Sequence, residues 1–348
     1  MRIALLAPFE ESVPPQKYGG TELVVANIAE TLVAMGHQVY LLATGDSKTK
    51  AHLIPTFAES IRKNPLAQNT EVREAFKYMG IAQVVDTLIH LNVDIIHNHI
   101  GWRFLPFTHL FKAPTVTTLH GPLDVPYQQI VYGAFPKEPY VSISNEQRKP
   151  FLALQYVDTV YNGIDISQFT FFPSPGKYLA FLGRFSPEKG PQVAIEVAKR
   201  SGIKLKMAGK VDAVDQAYFK KEIEPYIDGT TVEFLDEIGP AQKNEFLGNA
   251  YALLAPIQWR EPFGLFMIEA MACGTPVIAT RMGSAPEIVS NGDTGFVVEN
   301  QTDAFVAAVK QIPTISRARC REHVQAHFTQ EIMTKHYLSV YEQVIRQS

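Results

Sequence analysis

Thiols are scarce in this chain: of 348 residues only Cys273 and Cys320 are cysteine. They form no Cys-x-x-Cys pair and no disulfide framework, as expected of a protein kept in a reducing cytoplasm. No run of about 18 apolar residues occurs, so no membrane-spanning helix is expected. The apolar stretch at Met1–Pro8 is too short for the core of a secretory leader and reads as a first buried strand. Excess charge of one sign is also lacking. The 32 Lys and Arg face 35 Asp and Glu, a net of −3, which argues against a nucleic-acid partner. Short-period repeats and low-complexity tracts are absent.

What is present is core. Hydrophobic residues make up 46% of the chain, and a chain this long exceeds the size at which one core usually stops growing, so two domains are expected. Short apolar runs alternate with amphipathic stretches, the pattern of parallel sheets covered by helices. In the first half, strands are expected at Ile3–Ala7, Gln38–Ala43, Asp94–His97, Thr115–Leu119 and Tyr140–Ile143, with a helix from about Thr21 to Met35. The segment from Thr49 to Leu91 is more polar and is expected to be helical. The pattern restarts with strands at Tyr178–Leu182, Lys204–Met207, Val232–Leu235, Ala252–Ala255, Pro276–Ala279 and Gly295–Val298. Helices are expected at Pro187–Ser201 and Thr302–Ile312, and through the tail from Ile315. Pro and Gly between Asn162 and Gly176 read as a linker. The expected domains are therefore 1–165 and 166–329, each α/β and Rossmann-like.

The most informative stretch runs from Glu261 to Pro276. Two carboxylates, Glu261 and Glu269, flank a Phe263-Gly264-Leu265 turn that opens a helix, and Gly274-Thr275-Pro276 leads into a strand. The start of that helix offers free backbone N–H groups and a positive dipole end, a seat for an anion. Glu261 precedes the seat and Glu269 lies ~7 Å further along the helix axis. A phosphate in the middle with hydroxyl-rich sugars at both ends, the shape of a nucleotide-sugar, fits this layout. The ordinary alternative is a helix start carrying two surface glutamates.

Four further segments carry candidate chemistry. Arg184 and Lys189, in Gly183-Arg-Phe-Ser-Pro-Glu-Lys-Gly190, follow a strand and precede a helix. That is where a Rossmann-like domain binds phosphate, although the Walker A spacing is missing. Gly19 and Gly20, in Tyr18-Gly-Gly-Thr-Glu22, let backbone N–H groups approach a phosphate, with Thr21 a possible N-cap. His120 ends the strand Thr117-Thr118-Leu119. His97 and His99 share a strand face but have no carboxylate or Cys at metal-binding spacing, so no metal site is expected. His323 and His327 lack the Glu of His-Glu-x-x-His.

Together these segments resemble the retaining glycosyltransferases of family 4, with their E-x7-E signature, from the first strand to about residue 300. The resemblance implies the GT-B fold: two Rossmann-like domains facing a cleft, with a C-terminal helix from about 330 to 348 returning to the first domain. It implies a nucleotide-sugar donor, UDP- or GDP-linked, and an acceptor of unknown identity. In the family, Arg184 and Lys189 match the diphosphate grip and Gly19 and Gly20 the loop over the donor phosphates. Glu261 matches the group on the sugar hydroxyls, Glu269 that on the ribose, and His120 the active-site His near the anomeric centre. Val232–Gly239, including Ile238, matches the strand and turn beside the nucleobase, with Asp236 where the family usually has Gly. Phe263, Gly264 and Leu265 complete the donor site. The implied reaction is front-face transfer with retention and without a metal or other cofactor. A related epimerase or phosphorylase, a glycoside hydrolase using Glu261 and Glu269, and a non-catalytic nucleotide-sugar binder are the competing readings. Lys48, Lys50, Arg62, Lys63 and Arg73 form a loose basic scatter that reads as a solvated face rather than a membrane contact.

Overall fold

The computed structural model describes residues 1–17 and 19–348; Tyr18 of the Gly-Gly motif lies outside the described residues. The chain divides into two compact units, one of Met1–Gly163 with Gln330–Ser348 and one of Ile164–Thr329.

The first unit is built on seven parallel strands: β1 (Arg2–Leu6), β2 (Gln38–Ala43), β3 (His52–Pro55), β4 (Ile95–Asn98), β5 (Thr115–Leu119), β6 (Tyr140–Ser142) and β7 (Tyr156–Thr159). Their spatial order is β3-β2-β1-β4-β5-β6-β7. The central strands are near-continuous apolar runs because helices cover both faces; Ile3, Leu5, Leu6, Ile95, Val116 and Val141 have no measurable or almost no exposure. The C-terminal helix Gln330–Gln347 belongs to this unit and buries Met333, Tyr337, Val340, Tyr341 and Val344 at helical spacing.

The second unit repeats the plan with β8 (Tyr178–Leu182), β9 (Leu205–Ala208), β10 (Val232–Phe234), β11 (Ala250–Ala255), β12 (Val277–Thr280) and β13 (Gly295–Val298). All pairs are parallel and the order is β10-β9-β8-β11-β12-β13. In both units the first strand of the unit is flanked by its second and fourth. That is the Rossmann order, and its switch point lies between the first and fourth strands.

Every strand expected from the sequence is present within two residues at each end. Two were not expected. β3 and β7 are the edges of the first sheet, and neither has a fully buried residue, so neither shows the apolar run that marks the others. β3 falls in the segment read as helical, whose principal helix is confined to Thr70–His90. The helix expected from Pro187 begins instead at Pro191, after a short 3-10 turn and a left-handed Gly190. The first helix starts at Gly20 with Gly19 at its N-cap, so Thr21 lies inside the helix and is not the cap.

Candidate functional site

In the second unit the site residues gather where β8 and β11 end. Two glycines make this possible. Gly190, at φ 68°, comes so close to the segment after β11 that a Cβ would sit 2.1 Å from the Pro256 carbonyl oxygen. Gln258 N–H then donates to the Glu188 carbonyl at 2.8 Å, which ties the loop carrying Lys189 to the loop carrying Glu261. Gly283, at φ 57°, lies against the backbone of Glu261 from the other side. Next to it, Ser284 N–H donates to the Glu261 carbonyl at 3.0 Å and Ser284 Oγ to the Phe263 carbonyl at 2.6 Å.

Within this frame Lys189 Nζ and Glu261 Oε2 form an ion pair, and Trp259 Nε1–H donates to the same Oε2 at 2.9 Å. Lys189 Nζ also lies 5.3 Å from the Trp259 ring centre and 5.5 Å from that of Phe266. The Lys189 and Glu261 side chains are 13% and 10% exposed. A charge so enclosed is costly without a partner, and each supplies the other's. Both contacts on Glu261 fall on Oε2, which leaves Oε1 as an acceptor. Arg184 pairs with Glu188 through Nη2, while its Nε is buried without an acceptor.

Gly264, at φ 84°, forms the N-cap of the helix Leu265–Ala272, and Phe263 is buried against Phe328 with ring centres 6.0 Å apart. Glu269, 4% exposed inside that helix, pairs through Oε1 with Lys243 Nζ from the helix Pro240–Gly248. Ile238 is half-buried in the turn before that helix. Asp236 in the same turn takes φ 57°, and among the described residues it is the one non-glycine with positive φ. Its Oδ1 accepts from Glu237 N–H at 2.8 Å, the local hydrogen bond that lets Asp occupy the left-handed region.

In the first unit the strand-end histidines form a buried polar chain. His97 Nδ1 meets Tyr341 Oη at 2.7 Å and its Nε2 meets Thr118 Oγ1 at 2.7 Å. Thr118 O–H donates on to Tyr337 Oη at 3.1 Å. Since Thr118 has one proton to give, His97 carries its proton on Nε2 and accepts from Tyr341. With both nitrogens engaged, His97 offers no lone pair to a metal. Its ring lies against His99, tilted 43° with centres 3.9 Å apart, and His99 Nδ1 meets His120 Nε2 at 2.8 Å. Burial pushes all three imidazoles down, His120 to about 4, so they are neutral at physiological pH. Asn98 braces the following turn, accepting from Ile100 N–H at 2.9 Å and donating to the Gly101 carbonyl at 3.0 Å.

Gly19 and Gly20 open the first helix, and Glu22 in its first turn is 6% exposed, its carboxyl pushed up to about 7 chiefly by burial. The basic scatter is broken up, with Arg62 on Glu11, Lys63 on Asp46 at 2.9 Å, and Arg73 on the Ala67 carbonyl at 2.9 Å. His323 Nε2–H donates to the Ile288 carbonyl at 3.0 Å, and its ring meets His327 and Phe328 edge-on, a packing role. Among the described residues no helix is long and apolar enough to cross a membrane.

Lys243, Trp259, Gly283, Tyr337 and Tyr341 escaped the sequence reading because each reaches its partner through tertiary packing. Glu22 stood within a quoted motif, but its burial has no sequence signal.

Residues 18–168 match the family described as Glycosyltransferase Family 4, and residues 164–326 match Glycosyl transferases group 1. A D-inositol 3-phosphate glycosyltransferase of Mycolicibacterium smegmatis is 25% identical over 339 aligned residues, covering 81% of this chain and 75% of its own length. Among solved structures, a sucrose-phosphate synthase from Thermosynechococcus elongatus has a TM-score of 0.82 at 21% identity, with full coverage of both chains. Anabaena HepE, solved in complex with UDP and glucose, has a TM-score of 0.75 at 18% identity, covering 99% of this chain and 100% of its own. With two Rossmann-order units of the GT-B class and the two family matches running in series from residue 18 to 326, the chain belongs to the group 1, family 4 glycosyltransferases.

Proposed function

We propose that this glycosyltransferase moves a sugar from a UDP- or GDP-linked donor to an acceptor hydroxyl with retention of anomeric configuration. The observation that carries this reading is the Lys189–Glu261 pair at the ends of β8 and β11, the switch strands at which a Rossmann-order sheet binds its ligand. Glu261 takes one of the three Lys189 N–H donors, leaving two for phosphoryl oxygens. The part-exposed guanidinium of Arg184 adds a second cation beside the loop, and the start of the helix Leu265–Ala272 adds a dipole end. Charge on the diphosphate grows as the glycosyl bond breaks, so fixed cations favour the transition state over bound donor.

Glu261 Oε1 is the acceptor for sugar hydroxyls and Glu269 the acceptor for the ribose. Both carboxylates are held in ion pairs with lysines, an arrangement that suits hydrogen-bond acceptors better than the nucleophile and proton donor of double displacement. The acceptor oxygen therefore bonds to the anomeric carbon on the face from which the diphosphate departs. Its proton passes to the leaving phosphate oxygen. By the family resemblance, neutral His120 is a hydrogen-bond partner for a sugar hydroxyl and the Gly19-Gly20 amides are donors for phosphate. Lys189, Arg184 and the dipole end of the helix Leu265–Ala272 supply the positive charge a divalent ion would otherwise provide, so no metal or other cofactor is assigned. UDP is the first donor base to try, because HepE was solved with it.

The test is a thermal-shift panel of UDP, GDP, ADP and their sugar conjugates in EDTA, followed by NMR of the product anomer. A ligand at 100 times its Kd stabilises the fold by about 2.7 kcal/mol. One nucleotide is expected to shift the melting curve, Lys189→Ala to abolish that shift, and turnover to persist in EDTA with retained configuration. An inverted product overturns the front-face path. Turnover lost in EDTA and restored by Mn²⁺ overturns the metal-free assignment, and absence of any nucleotide shift overturns the donor site.

A further inference from the structure

Glu269 lies in an apolar helix between buried Met267, Ile268, Ala270 and Met271. Burying a carboxylate in that setting is costly unless a cation stands against it. Lys243 Nζ is that cation and binds Oε1 alone. Its position is fixed by neighbours on the same helix. Asn244 Oδ1 accepts from Thr170 N–H at 3.1 Å and lies 3.3 Å from Cys273 Sγ, just past the end of the Glu269 helix. The Lys243 ammonium also faces the Phe169 ring at 5.9 Å. The helix carrying Lys243 begins directly after Ile238-Gly239, the turn read as facing the nucleobase.

We infer that Lys243 is a specificity-determining positioning residue for the nucleotide. By holding Oε1, it fixes the carboxylate with Oε2 as the acceptor for both ribose hydroxyls, and so makes the chain select ribonucleoside over 2′-deoxyribonucleoside diphosphates. Charge-assisted bonds of this kind are roughly twice as strong as neutral ones, so the discrimination depends on the ammonium as much as on the carboxylate. The inference rests on Glu269 being the ribose-binding group.

The experiment is calorimetric titration of the full chain with UDP and 2′-deoxy-UDP, repeated with the guanosine pair. The variants are Lys243→Met, Lys243→Gln, Lys243→Arg and Glu269→Gln, with circular dichroism confirming each fold. The native chain is expected to prefer the ribonucleotide by roughly 10-fold or more. Lys243→Met and Lys243→Gln should bring that ratio below about 3 by weakening the ribonucleotide alone, and Lys243→Arg should restore most of it. A ratio that survives in both Lys243→Met and Lys243→Gln but collapses in Glu269→Gln overturns the role of Lys243 and leaves the ribose reading standing. Equal weakening of both nucleotides shows Lys243 to be merely structural. A ratio unchanged in Glu269→Gln overturns the ribose reading itself, and the inference with it.

Discussion

Replacing Glu22 with Gln should stabilise the protein at alkaline pH and leave it unchanged at acid pH. Glu22 is 6% exposed in the first turn of the helix Gly20–Ala34. Burial raises its carboxyl from 4.5 to about 7; Glu11 and Glu10 push the same way, while Arg62 and its own backbone N–H oppose them. Between these two values the folded chain holds a proton that the unfolded chain has released. Stability therefore falls as pH rises through this window and stays low above it. A rise of that size corresponds to a cost of about 3 kcal/mol once both states are ionised, at 1.36 kcal/mol per unit. Gln keeps the shape and never ionises, so it escapes the cost. For a unit of this size the difference is worth roughly 6–12 °C in Tm. Urea unfolding and thermal melts of native chain and Glu22→Gln at pH 4.5, 6, 7 and 8.5 would read it directly. The curves should converge at pH 4.5 and separate progressively to pH 8.5. A constant offset at all four values would refute the reasoning, since it would mean that Glu22 ionises at the same pH in both states.

The reach of the sequence follows from which contacts are local. β8 and β11 are apolar runs bounded by Gly and Pro, and Arg184 and Lys189 follow β8 directly, so their place at a strand end needs no tertiary knowledge. The same holds for His120 after β5 and for Gly264 before its helix. The pairing of Lys189 with Glu261 could not be read this way. The two are 72 positions apart, and nothing local distinguishes a lysine aimed at a carboxylate from one aimed at solvent. Lys243 and Tyr341 are the same case at greater cost, for Lys243 lies on a helix whose residues look solvent-facing. β3 and β7 failed for a different reason. An edge strand only partly covered, like β3 with Ile54 and β7 with Tyr156 on the core, needs no continuous apolar run, so the signal that found the central strands is missing for them. Asp236 goes the other way: a non-glycine residue takes up the left-handed backbone there, and its carboxylate accepts from Glu237 N–H.

Two further substitutions probe the positioning of the site residues. Tyr341→Phe strips the hydroxyl from His97 Nδ1 and should cost about 1–3 kcal/mol, the price of a buried acceptor left unpaired. Denaturation should show this while the nucleotide-induced thermal shift is unchanged, and an altered nucleotide shift would contradict the assignment of nucleotide binding to the second unit. Gly283→Ala tests the Glu261 loop. Gly283 and Gly292 both have positive φ, 57° and 82°, so alanine strains the backbone at either one. They differ in surroundings: a Cβ at Gly283 would lie 2.4 Å from Glu261 N and 2.7 Å from Glu261 O, whereas at Gly292 it meets nothing within 4 Å. Gly292→Ala is thus the control for backbone strain, and the excess effect at Gly283 measures the push on Glu261. Because the obstructing atoms are backbone, they cannot rotate aside, and Glu261 must move relative to Lys189. A misplacement of about 1 Å in a positioning group costs on the order of 100-fold in rate, so kcat/KM should fall by that factor in Gly283→Ala and by less than about 3-fold in Gly292→Ala. Equal losses in the two variants would show that strain alone is responsible and that the position of Glu261 does not limit turnover.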